Sequence, residues 1–250
     1  MKIQLIRHAT LWLEYGGLKI LVDPMLMDAE SMPAFPNTPN ELRNPRVDLP
    51  ETKTDFLNPD LLIVTHIHPD HWDEAAASQL RKDTPLLCQS GDEPIFTKAG
   101  FTDVTPVDAK HEHYSVRFSR TSGQHGTGEI GKRMGNVSGF VLEADGEPVT
   151  YIAGDTIWCE EPAAAIEHYN PEVIVVNAGG ARFLQGDPIT MDGPAVAAVK
   201  RAAPSAHLIA VHMDAINHCM TTRADLAAYL AKEQLEGEVL IPLDGESFEF

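Results

Sequence analysis

The segment Leu61-Leu62-Ile63-Val64-Thr65-His66-Ile67-His68-Pro69-Asp70-His71-Trp72 joins an unbroken apolar run to three histidines and an aspartate. A run of strand length without alternation predicts a strand covered on both faces. Side chains two apart on an extended segment point the same way, so His66 and His68 can share one metal ion. The turn beginning at Pro69 redirects Asp70 and His71 toward a neighbouring ion. Imidazole and carboxylate without thiolate suit Zn²⁺, Mn²⁺ or Fe²⁺. The plainer alternative is a polar turn capping the next helix through Asp70; four ligating side chains packed this densely argue against it.

Upstream, Ile3 to Ile6, Leu11 to Tyr15 and Leu18 to Val22 read as short strands, the latter two joined by a hairpin at Gly16-Gly17. Residues 24–59 hold seven of the 18 prolines and little periodicity, which predicts a long ordered loop or lid, either a surface excursion or a flap beside a pocket. Downstream, helices are expected over 72–83, 92–99, 163–168, 192–203 and 222–234. Strands are expected over 114–121, 139–143, 149–153, 173–176, 208–211 and 239–241, the last closing the chain. Residues 123–139 contain six of the 18 glycines and read as an irregular loop. Interleaved strands and helices over the 250 residues predict one α/β domain, 1–250, of two packed sheets with helices outside.

Composition narrows the function classes. Lys and Arg total 19 against 37 Asp and Glu, a formal charge of −18, which repels nucleic acid and anionic membranes. No apolar stretch is long enough to span a bilayer, and the N-terminus lacks a signal peptide's apolar core. The three cysteines, Cys88, Cys159 and Cys219, form neither a disulfide framework nor a zinc knuckle, and they suit a reducing, cytoplasmic compartment. The expected partner is a small-molecule substrate; self-association into a homo-oligomer stays open.

The pattern Thr65-His66-x-His68-x-Asp70-His71 resembles the signature of the metallo-β-lactamase superfamily. His8-Ala9-Thr10 and Gly17-Leu18-Lys19-Ile20-Leu21-Val22-Asp23-Pro24 are similar to its branch containing L-ascorbate-6-phosphate lactonase. The resemblance spans about residues 3 to 248 and implies a four-layer αβ/βα sandwich of two mixed sheets flanked by helices. It also implies further ligands at His125 after a strand, Asp155 in Ile152-Ala153-Gly154-Asp155-Thr156, and His212 in Ala210-Val211-His212-Met213. His66, His68 and His125 would then hold one divalent ion and Asp70, His71 and His212 a second, with Asp155 bridging. Zn²⁺ is the leading choice, with Mn²⁺ and Fe²⁺ open. Two such ions lower the pKa of a shared water to give hydroxide at neutral pH.

Asp70, His8 and His218 are the residues expected to act on substrate. The resemblance puts His8 near the metals as a substrate contact. His218 follows the last ligand on a loop and is a candidate general acid, since imidazole ordinarily titrates near pH 6.5. Asp192 is either an orienter of a ligand histidine or a helix cap. Asn177-Ala178-Gly179-Gly180 could turn backbone amides toward an anionic substrate, and Trp72 and Trp158 could wall the pocket. These readings converge on a hydrolase of a small, even anionic, substrate: a lactone or other cyclic ester, or a phosphodiester. A mononuclear iron oxygenase on the same fold is the alternative. A nuclease or a non-catalytic binding protein ranks lower, because the charge is negative and no ligand position is lost.

Overall fold

The computed structural model describes residues 1–51 and 54–250. The first half contributes β1 (Lys2–Arg7), β2 (Thr10–Tyr15), β3 (Leu18–Val22), β4 (Leu61–Val64), α1 (Glu74–Gln79), β5 (Leu86–Gln89), α2 (Glu93–Lys98) and β6 (Val104–Val107). The second half contributes β7 (Lys110–His113), β8 (Val116–Ser122), α3 (Gly128–Met134), β9 (Ser138–Glu143), β10 (Thr150–Ile152), α4 (Glu160–Tyr169), β11 (Val173–Asn177), α5 (Gly193–Ala202), β12 (His207–Val211), α6 (Arg223–Lys232), β13 (Val239–Leu240) and β14 (Ser247–Glu249). They form two seven-stranded mixed sheets, in the orders β14-β1-β2-β3-β4-β5-β6 and β13-β12-β11-β10-β9-β8-β7. Each is antiparallel at one end and parallel at the other.

Alternation along β4 shows how the layers arise. Leu61 and Ile63 point into the core between the sheets, with Leu13, Ile20, Phe118, Phe140 and Ile209. Leu62 and Val64 point outward and are covered by Ala76 of α1, Phe96 of α2, and Trp72. On the other sheet, Ile174 and Val176 lie under Val196 and Val199 of α5 and Leu226 and Leu230 of α6. Helix, sheet, sheet, helix is the four-layer sandwich expected from the sequence.

Several expectations change. The helix expected over 72–83 is only α1, because Asp73 caps it, its side chain accepting from Ala76 N, and Leu80 turns extended to lead toward β5. The glycine-rich stretch 123–139 contains α3. The strands β5, β6 and β7 were not anticipated. The chain does not close at β13: β14 returns to pair with β1, placing Glu249 opposite Lys2.

The proline-rich stretch is pinned against the body. Arg7, wholly buried, donates from Nη1 to Val47 O at 3.0 Å and from Nη2 to Met25 O and Met27 O at 2.8 Å. Asn44 and Asn217 clasp each other: Asn44 Nδ2 donates to Asn217 Oδ1, and Asn217 N donates to Asn44 Oδ1. Three carbonyls gathered on one buried guanidinium, that of Met25 buried with it, make this segment a fixed wall instead of a hinged flap. Thr52 and Lys53, within the lid expected over 24–59, lie outside the described residues. Among the described residues, no helix is long and apolar enough to cross a membrane.

Candidate metal centre

The cluster forms where strands end. β4 delivers His66 and His68; the following turn, closed by His71 N and Trp72 N donating to His68 O at 2.9 Å, delivers Asp70 and His71. β8, β10 and β12 lead to His125, Asp155 and His212, the last with a left-handed φ of 67°. β1 runs parallel to β3 and β4 through antiparallel β2, so His8 arrives at the same edge. Carboxyl ends of strands are where open sheets of this kind gather their ligand sites.

Asp155 sits at the middle. Its Oδ2 lies 3.3 Å from His71 Nε2, 3.5 Å from His125 Nε2 and 3.9 Å from His66 Nε2, and its Oδ1 lies 3.3 Å from His212 Nε2. Asp70 Oδ2 lies 3.6 Å from His212 Nε2. Among the described residues the potential ligand atoms fall into three sets, each within 4.8 Å: His66, His68 and His125; His66, His71 and Asp155; and His8, Asp70, His71 and His212. All are buried except His68, which is half-buried and opens the cluster to the outside.

The outer ring nitrogens are engaged. His71 Nδ1 donates to Asp23 Oδ2 at 2.8 Å. Asp23 also accepts from Thr65 N and Thr65 Oγ1, both at 2.7 Å, so Thr65 Oγ1 is left to accept from His66 Nδ1 at 3.1 Å. His125 Nδ1 donates to Ile189 O at 2.8 Å, and His212 Nδ1 faces Cys219 Sγ at 3.5 Å. Asn177 Nδ2 donates to Asp155 Oδ1 at 2.6 Å. A proton committed to Nδ1 leaves Nε2 as a lone pair, the tautomer a cation ligand needs.

The inward nitrogens crowd together, those of His71 and His212 as facing lone pairs, whereas His68 Nδ1 can also donate to His66 Nε2. His71 Nε2 and His212 Nε2 are 3.3 Å apart, and His66 Nε2 is 3.0 Å from His68 Nδ1. Two buried lone pairs at that distance require a proton or a cation between them, and carboxylates surround the gap. The donor set therefore fits divalent cations. The same field acts on protons. Burial opposes charge on His71, but Asp155 and Asp23 outweigh it and raise its pKa to about 10. Burial also pushes the Asp155 carboxyl up, yet His212 and His71 pull it well below the carboxylate range.

The other candidates divide. His8, expected to touch substrate, is wholly buried; its ring lies against His212 at 3.6 Å and its Nε2 is 3.2 Å from Asp70 Oδ2. It sits within the cluster, behind Asp70. His218 is 6% exposed, its ring 5.0 Å from that of Phe35, and its Nδ1 has no hydrogen-bond partner. Burial, reinforced by His212 and opposed by Asp70, lowers its pKa to about 4, so the ring is neutral at pH 7 and not an imidazolium. Asp192 caps α5 by accepting from Ala195 N and orients no histidine. The amides of Ala178 and Gly180 are taken by Val211 O and Met191 O, so neither can meet an anion. Trp72 packs against Phe96 and Phe101, and Trp158 against the helix-covered sheet face; neither walls the site.

Asp23, Cys219 and the Ile189 carbonyl were missed from the sequence as supports of the histidines. Asp23 had a visible signal: a lone carboxylate ending the buried run Leu18–Val22. The other two depend on tertiary placement.

A profile of the beta-lactamase superfamily domain matches residues 2–212. The UPF0173 protein YddR of Bacillus subtilis is 36% identical over 254 residues, covering 100% of both chains. A UPF0173 metal-dependent hydrolase of Azorhizobium caulinodans is 26% identical over 266 residues, again covering 100% of both. Among solved structures, an isothiocyanate hydrolase from Delia radicum gut bacteria superposes with a TM-score of 0.95 at 36% identity, covering 100% of this chain and 99% of the other. This chain belongs to the beta-lactamase superfamily and is one of its metal-dependent hydrolases.

Proposed function

We propose that two divalent cations bind in the cluster, Zn²⁺ foremost, and that the chain hydrolyses a small electrophile there. The observation that supports this most directly is Asp155, with four imidazole Nε2 atoms within 3.3 to 3.9 Å of its two oxygens. His66, His68 and His125 would hold one cation and Asp70, His71 and His212 the other, with Asp155 between them. Such cations polarise an electrophile and lower the pKa of a water.

The side chains supply the rest. Asp23, Thr65, Ile189 O and Cys219 hold four rings so that lone pairs point inward. Asp70 Oδ2, steadied by His8 Nε2, is the acceptor for a proton leaving the attacking water. His218, neutral and with no hydrogen-bond partner at Nδ1, offers a ring N–H to the developing oxyanion or leaving group.

Among substrates, lactones and other cyclic esters remain candidates, and the 36% identity to an isothiocyanate hydrolase adds heterocumulenes. A net charge of −18 ranks neutral electrophiles above phosphodiesters. Elemental analysis of metal-replete protein, combined with turnover of lactones, isothiocyanates and phosphodiesters, tests the proposal. We expect two ions per chain and hydrolysis abolished by a chelator. One iron per chain with oxygen consumption and no hydrolysis would establish the oxygenase alternative instead.

A further inference from the structure

A groove of about 490 Å³ has a lining that includes Pro36, Ile130, Met134, Phe183 and Leu184. Three separate segments build it: the proline-rich stretch, α3, and the loop after Ala181. They are joined, since Leu184 N donates to Asn37 O at 2.8 Å. Gly186, at a φ of 98°, lets the loop close on α3; a Cβ there would stand 2.5 Å from Ile130 Cδ1.

The groove and the metal cluster are linked through one buried apolar set. Ile130, Met134, Phe35 and Phe183 pack on a buried set of Met25, Ala181, Ile189, Ile216 and Cys219. Ile189 and Cys219 are the residues that steady His125 and His212. His218 stands between the two regions, its ring 5.0 Å from Phe35 and 6.2 Å from Phe183. The contents are distinctive for so acidic a chain: among the described residues no carboxylate lines the groove, and Arg133 is its only charged lining residue. Leu184 is 68% exposed, an apolar side chain left to water that an apolar ligand would cover.

We infer that this groove binds an apolar alkyl or aryl substituent of the substrate, so that the enzyme selects neutral electrophiles carrying such a tail. This rests on the reading of the cluster as a hydrolytic centre. The tail would lie among Phe183, Met134 and Leu184 while the reacting carbon faces His218 and the cluster. Burying apolar surface is non-directional, so chain length rather than tail shape should govern the gain.

Two measurements on metal-loaded protein test it together. The first is calorimetric titration with unreactive primary alcohols from butanol to octanol. The second is kcat/KM for isothiocyanates with methyl, butyl and 2-phenylethyl groups. We expect affinity to tighten by up to about fourfold per added methylene, with kcat/KM rising in the same order. Leu184→Glu, at an exposed position, and Phe183→Ala should both flatten these trends while metal content stays unchanged. Affinity independent of chain length, or a trend that survives both substitutions, overturns the groove. Length-dependent alcohol binding without turnover of any electrophile keeps the groove and overturns the hydrolytic reading instead.

Discussion

Asp23 Oδ2 accepts from His71 Nδ1 at 2.8 Å and also from Thr65 Oγ1 at 2.7 Å, which in turn is 3.1 Å from His66 Nδ1. One carboxylate at the end of β3 thus orients two of the cluster's histidines, the first directly and the second through a hydroxyl. Asp23→Ala should weaken divalent-cation affinity by about 10- to 100-fold, the range seen when an outer partner of a ligand histidine is lost. Competition with a chromophoric chelator measures it. Unchanged affinity would mean that packing alone holds His71 and His66.

Asp155 makes a stronger demand, because its two oxygens face four imidazoles. In Asp155→Ala those four nitrogens lose the carboxylate they share, His212 keeping only Asp70 Oδ2 at 3.6 Å, and Asn177 Nδ2 loses its acceptor. We expect fewer than two ions per chain and a fall in hydrolysis of more than about 100-fold. The metal-free variant should still unfold cooperatively, since the apolar core lies between the sheets. Wild-type turnover in this variant would force the ligand set to be redrawn.

The contrast between Asp23 and His66 shows what could be read in advance. His66, His68, Asp70 and His71 stand out because four ligating residues follow an unbroken apolar run. Asp155, His125 and His212 were reachable only through the resemblance to the superfamily, which implies ligands at those strand ends; alone, each reads as an ordinary polar residue. The unanticipated strands are mainly sheet edges. β6 carries Pro106, tolerable where no further strand must be paired, and β7 is Lys-His-Glu-His, without an apolar face. β14 has three residues and exists only through β1. Cys219 and Ile189 act through tertiary placement that no local pattern encodes. His8 and His218 were located near the site, yet burial, invisible in residue type, changes what each can do there.

Arg7 offers a test of the pinned proline-rich wall. Its burial lowers the guanidinium pKa to about 10, against the pull of Asp73, and it remains charged at pH 7. In Arg7→Met the carbonyls of Met25, Met27 and Val47 lose their donor. Only the bond to the Met25 carbonyl is fully buried, so at about 1 to 3 kcal/mol for a buried polar group left unpaired the loss should reach at least about 1 kcal/mol. Urea unfolding gives the magnitude, and limited proteolysis should show new cleavage within residues 25–50. A loss under about 1 kcal/mol would show that the segment is held by its apolar contacts.

His218 carries the last prediction, in which stability and catalysis point the same way. Burial lowers its pKa to about 4 from an ordinary 6.5, with His212 adding to the shift and Asp70 opposing it. The unfolded chain therefore binds a proton at His218 between pH 6.5 and 4 that the folded chain refuses. The sign follows: this contribution is fully present above pH 6.5 and is lost as pH falls toward 4. At about 1.4 kcal/mol per pH unit, the loss approaches about 3 kcal/mol. His218→Gln removes the titration, so the stability difference between wild type and variant should shift in the variant's favour across that window. Denaturant titrations at pH 7, 6, 5 and 4 read it directly. In catalysis the neutral ring can still donate through one N–H, and such help is typically worth about 10²- to 10⁴-fold in rate. The same variant should therefore lose kcat while keeping the wild-type metal content. Wild-type kcat/KM should show no limb near pH 6.5 that disappears in the variant, since an imidazolium is not the working form. A limb that does disappear would make His218 the protonated acid first expected from the sequence. An unchanged kcat would leave it as packing between Phe35 and the cluster.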